Sequence, residues 1–217
     1  MFNPTKLEKI INKIGLKVRP VLAPLRRRRL ERTDFTIISN NCWGGHCYEY
    51  FGLPKQSPTV GAFFFVSEYI SFVKNLRKNL SKEILFIDMT QSKHYDFLKR
   101  KNIHCPIGLL DDVEIFFLHY PNEKIVKEKW ERRVNRVNWD NLIFKFSMMN
   151  DCSLHDLKDF DELDLPGKKL MFVNKPNMGF KCGVYYPGYE HDSTIENDTF
   201  YWNKYVDVVE FLNKFDL

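Results

Sequence analysis

Seven consecutive positions, Ser39-Asn40-Asn41-Cys42-Trp43-Gly44-Gly45, bring together two amides, a thiol, an indole and two glycines. Glycine lets the backbone approach an anion closely, and the first amides of a following helix can meet a phosphate. Amides suit sugar hydroxyls, and an indole suits the apolar face of a sugar ring. The loop is not a Walker loop, because no Gly-Lys-Ser/Thr follows, and the G-x-G-x-x-G spacing is absent. A tight turn around a packed tryptophan would use the same residues with no ligand.

Other groups could act with this loop. His119 at a strand end has the chemistry of a general acid or base, and Asp151 that of a residue that orients or deprotonates a hydroxyl. A half-buried histidine bonded to a carbonyl, and an aspartate in a local turn, are their structural alternatives. Asp111-Asp112 could hold Mg²⁺ or Mn²⁺ for a nucleotide sugar, or form a turn. On a strand the two would face opposite ways, so joint action requires a loop. Cys42, His46 and Cys47 lack C-x₂-C spacing and a fourth ligand, so no metal centre is expected. Cys42 near a helix start could be a nucleophile. No G-x-S-x-G elbow offers a serine route. On a long helix, Arg132 and Arg136 share a face and could grip a phosphate, or only answer the helix dipole.

The elements that would position these groups alternate. Strands are read at Phe35–Ile38, Ile84–Ile87, Val113–Leu118 (as a central strand), Leu142–Phe146 and Leu170–Val173. Helices are read at His46–Phe51, Val66–Leu80, Tyr95–Arg100, Glu123–Val137, Ser153–Phe160 and Tyr201–Phe215. Asn177 to Asp198 reads as irregular. The expectation is an α/β fold: a mostly parallel or mixed sheet flanked by helices, three-layered and Rossmann-like. Ligands in such folds bind beyond the carboxyl ends of the strands. That gathers the loops Ser39–Gly45, His119–Asn122, Met148–Ser153 and Asn174–Pro176 at one edge. Expected substrate contacts are Ser39, Asn40, Asn41, Trp43, Gly44, Gly45, Thr59, Asp111, Tyr120, Asn150 and Lys175. Expected catalytic groups are His119, Asp151 and Asp112.

Charge is unevenly spread. Residues 1–32 hold ten Lys and Arg against two Glu, a charge of +8, which leaves −3 for the rest of a chain whose total is +5. A domain-wide nucleic-acid footprint is therefore not expected. Leu7, Ile10, Ile11 and Ile14 make residues 5–18 an amphipathic helix, followed by Arg26 to Arg29. That pattern fits peripheral contact with an anionic membrane, or a solvated segment. Residues 33–217 read as a single domain. Hydrophobic residues, at 44%, exclude wholesale disorder. Five scattered cysteines and no signal-like apolar run are read as reduced thiols in a cytoplasmic protein.

Taken in order, Ser39 to Gly45, Ser57-Pro58-Thr59-Val60-Gly61, Pro106-Ile107-Gly108-Leu109-Leu110-Asp111-Asp112, His119-Tyr120 and Trp130-Glu131-Arg132-Arg133 resemble an uncharacterised bacterial family. Its members are commonly labelled exopolysaccharide or capsule biosynthesis proteins. The resemblance runs roughly from Arg29 to Val173. It implies a cytoplasmic glycosyl- or acyltransferase of surface-glycan assembly, acting on a sugar or nucleotide sugar. A non-catalytic glycan- or nucleotide-binding accessory protein is the alternative.

Overall fold

The computed structural model describes residues 20–150, 152–199 and 202–214. The amphipathic segment 5–18 and Asp151 lie outside them. The elements run α1 (residues 20–27), β1 (Thr36–Ser39), α2 (Trp43–Phe51), α3 (Val66–Lys74), α4 (Leu76–Leu80), β2 (Leu85–Ile87), α5 (Tyr95–Arg100), β3 (Ile107–Leu110) and β4 (Val113–Phe116). They continue as α6 (Glu123–Val134), β5 (Leu142–Ser147), α7 (Leu154–Glu162), β6 (Lys168–Val173), β7 (Gly183–Tyr185), α8 (Trp202–Tyr205) and α9 (Val208–Asn213).

Two sheets result. Strands β1-β5-β6-β7 are parallel throughout, with Ser39 opposite Lys145 and Ser147 opposite Phe172. Helices cover both faces, as in a three-layer α/β fold. On one face Trp43 meets Phe172 and Trp202 edge-on. On the other, Phe146 stacks on Tyr69 of α3 and Phe160 of α7. Both faces are thus covered, which is why β5 is buried along its whole length. The outer edge of β1 is closed by side chains. The Tyr48 hydroxyl accepts from Ile37 N and donates to Phe35 O, and Thr59 Oγ1 accepts from Ser39 N and donates to Ile37 O.

The strand read at Val113–Leu118 is β4, but not a central strand. It is the edge of a separate antiparallel sheet, β2-β3-β4. A β3–β4 hairpin forms because Asp111 turns the chain at φ 55°. Gly108 lets this sheet close on its neighbours. A Cβ there would lie 2.4 Å from Ile84 Cδ1 and 2.8 Å from Phe117 Cε2. The helix read across Val66–Leu80 breaks at Asn75, and the C-terminal helix breaks between Tyr205 and Val208.

The segment Phe63–Phe64 ties the two sheets together. Phe63 and Phe116 exchange backbone hydrogen bonds of 2.8 and 3.0 Å, and Phe64 N donates to Asn40 O at 2.9 Å. The end of β4 is thereby held beside the end of β1, which places His119.

Candidate functional site

A cleft of about 440 Å³ opens where β1 and β5 end. Asn41 and Cys42 follow β1, Met149 and Asn150 follow β5, and His119 follows β4; all line it. The wall is completed by Phe63 and Phe97 on one side and by Glu196, Asn197, Asp198 and Thr199 on the other. Asn41, His119 and Asn150 thus line one cleft, though they are far apart in the chain.

At the floor is a polar network. Lys145 and Asp198 form an ion pair with 0% and 1% side-chain exposure. Asp198 Oδ2 also accepts from Ser147 Oγ at 2.5 Å and from Asn41 Nδ2 at 2.9 Å. Lys145 Nζ donates to Ser147 Oγ at 2.7 Å and to Asn41 Oδ1 at 3.1 Å, and it lies 5.0 Å from the Phe172 ring centre. Burial pushes the Asp198 carboxyl up, but the Lys145 charge and these hydrogen bonds outweigh it, so the group stays below its ordinary range. Burial lowers the Lys145 ammonium, which Asp198 only partly offsets.

The other loop residues serve the fold. The Asn40 amide clamps β1 to β5, donating to Ser147 O at 3.1 Å and accepting from Ser147 N at 3.0 Å. Ser39 donates to Asn41 Oδ1 at 3.2 Å. Trp43 is wholly buried, so its indole faces the core and not the cleft. Gly44 and Gly45 lie in the first turn of α2, where a Cβ on Gly44 would come within 3.1 Å of Ile37 Cγ2. Their small size permits close helix–strand packing. Thr59 is buried against β1. Tyr120 is buried too, donating to Val60 O at 2.6 Å and accepting from Arg133. Arg133 is therefore held in the core, while Arg132 and Arg136 are exposed.

Asp111 and Asp112 sit in the β3–β4 turn, at the opposite end of β4 from His119. Asp111 pairs with Lys82, and the Asp112 carbonyl accepts from Lys93. Four strand residues at about 3.3 Å each separate that turn from the cleft. Lys175 lines a different hollow, with Pro176 and Tyr185. Among the described residues, no three His, Cys, Asp or Glu side chains are grouped to hold a metal ion. Burial pushes the Cys42 thiol up to about 11, which opposes a thiolate nucleophile.

Lys145, Ser147 and Asp198 were not among the expected site residues. Lys145 does carry a signal, being a lysine inside the apolar run Leu142–Phe146. A central parallel strand is buried on both faces, so such a lysine requires a partner. Asp198, 53 positions on in an irregular stretch, carries none.

A model of the family described as "Domain of unknown function (DUF1919)" matches residues 17–217. An "Uncharacterized protein" of Haemophilus influenzae is similar, at 27% identity over 214 residues, 96% of this chain and 97% of that protein.

Proposed function

Because the chain belongs to the DUF1919 family, whose description gives no activity, we propose its function from the cleft: a transferase acting on a sugar or nucleotide sugar. The observation that carries this reading is the lining. Asn150, Asn197, Thr199 and His119 bring donors and acceptors to it, beside the Phe63 and Phe97 rings. Hydroxyl-rich rings with one apolar face require that combination. His119, exposed at the mouth, is one acid–base group of this reading, and Asp151 follows directly on the lining residue Asn150. Glycosyl transfer is favoured over covalent acyl transfer, because Cys42 is held as a thiol. The link to surface-polysaccharide assembly rests on the motif resemblance.

Mg²⁺ or Mn²⁺ would bind with a donor diphosphate; Asp111 and Asp112 are too far from the cleft to hold it there. A cytoplasmic, membrane-peripheral location is part of the proposal. Among the described residues no helix is long and apolar enough to cross a membrane. Helix α1 buries Ala23 and holds Arg26 over Tyr50, while Val21 and Leu25 stay exposed beside Arg28 and Arg29. An apolar face flanked by arginines suits an anionic bilayer. Flotation with phosphatidylglycerol vesicles, lost on deleting residues 1–32, checks that part.

A non-catalytic sugar-binding accessory role is favoured by one observation: Asp198 is already satisfied by Lys145, Ser147 and Asn41. Thermal shift with UDP-sugars, with and without Mg²⁺, followed by product analysis, separates the readings. The transferase reading expects a raised Tm by mass action and a product that His119→Ala abolishes. Binding without product supports the accessory role, and neither effect defeats both.

A further inference from the structure

A second hollow of about 340 Å³ adjoins the cleft, sharing Phe97 and Asn150 with it. On its wall the His94 ring stacks on Phe65, with centroids 3.6 Å apart and planes 5° apart. His94 Nε2 stands 3.4 Å from Glu68 Oε1, and the side chains are 20% and 6% exposed. Both partners are fixed from behind. Glu68 Oε2 accepts from Glu114 N at 2.9 Å. Buried Glu114 in turn accepts from Ser92 Oγ at 2.5 Å and Lys93 N at 2.9 Å, holding the turn that carries His94.

Burial pushes the Glu68 carboxyl up, but hydrogen bonds from His94, Glu114 N and Lys93 outweigh it and keep it ionised. An ionised carboxylate only accepts, so it selects the ring tautomer with its proton on Nε2. The lone pair is then on Nδ1. The charged lining of the hollow carries both signs, Lys93 and Arg100 against Asp96 and Asp156. That mixture suits a neutral polyhydroxyl molecule better than a bare anion.

We propose that His94, positioned by Glu68, is the proton acceptor for a substrate hydroxyl, and that the second hollow holds the acceptor sugar. The proposal rests on the transferase reading. The acceptor O–H bond breaks and its proton passes to His94 Nδ1. The freed oxygen pair forms the bond to the anomeric carbon of a nucleotide-sugar donor in the first cleft. The anomeric carbon–oxygen bond to the diphosphate breaks, and its electron pair leaves on the phosphate oxygen. Glu68 stabilises the imidazolium that results.

Long-range ¹H–¹⁵N NMR of the histidine rings reads the tautomer without any substrate. Wild type is expected to show neutral His94 as Nε2–H. Glu68→Gln, whose amide can face the ring by oxygen or by NH₂, is expected to give a mixture. With UDP-glucose as donor and a monosaccharide acceptor panel, His94→Asn should lower kcat by about 10²- to 10⁴-fold, the usual contribution of a general base. UDP-glucose binding should be unchanged. His94→Phe keeps a ring on Phe65 and should lose turnover equally, with its thermal melt as the fold control. Turnover in wild type that is indifferent to His94, or an Nδ1–H ring, overturns this proposal alone. A wild type that binds no nucleotide sugar defeats the transferase reading, and this proposal with it.

Discussion

Lys145 and Asp198, from the middle of β5 and from an irregular segment near the C-terminus, close an ion pair sealed from solvent beneath the cleft. Such a pair ties the irregular segment that carries Asp198 to the sheet. Removing one member strands the other charge in the interior, at a cost of about 3–5 kcal/mol. Lys145→Met and Asp198→Leu should each show that loss in urea unfolding. The double variant should lose clearly less than the sum, because no lone charge is left. Additive losses would show that the two groups are not coupled.

The same pair makes the fold sensitive to acid. The folded-state carboxyls of Asp198 and Glu68 lie below their ordinary values of 3.8 and 4.5. Unfolded chains therefore take up protons first as pH falls. The stability these groups contribute is fully present above the ordinary values and is lost as pH drops through the folded ones. Unfolding free energy measured from pH 7 to pH 3 should be level down to about pH 5 and then decline. Asp198→Asn should flatten the decline; an unchanged acid limb would remove Asp198 as a contributor.

Much of the parallel sheet was legible, because buried strands leave apolar runs and the helices between them leave a 3.6-residue period. Three of the four loops expected at one strand-end edge contribute to the cleft, while Lys175 and Pro176 of the fourth line a different hollow. The hairpin Ile107–Phe116 was not. Gly108 and Asp111 look like loop residues until a close-packed partner and a left-handed turn give them a use. Trp43 illustrates a different limit: expected in the loop ahead of a helix starting at His46, it opens α2 instead, and the direction of its ring is set by Phe172 and Trp202, which lie far along the chain. The Glu68–His94 pair was invisible for the same reason, since nothing local to either residue announces the other.

Thiol chemistry provides an independent check on the cleft. Burial raises Cys42 and Cys105 to about 11 and Cys152 and Cys182 to about 12, and lifts Cys47 further. A thiol must ionise to react. Native protein at pH 7.5 should therefore react slowly with a disulfide reagent at all five, and quickly only after unfolding. Cys42→Ser should leave turnover near the wild-type level. A single fast thiol at Cys42 would reopen covalent acyl transfer.

Trp43 decides between a sugar platform and a core residue. Its ring is wholly buried, 5.2 Å from Trp202 at 67° and 6.0 Å from Phe172 at 82°, with the Lys145 ammonium 5.8 Å from its centre. Removing it should leave a cavity beside a buried charge. Trp43→Ala is expected to cost about 3–5 kcal/mol, the usual range for a large buried aromatic. Trp43→Phe keeps an aromatic face toward Lys145 and should cost less. If Trp43 is structural, Trp43→Phe should bind UDP-glucose with wild-type affinity while its melting temperature falls. If affinity falls while the melt holds, the ring reaches the ligand and α2 must move on binding.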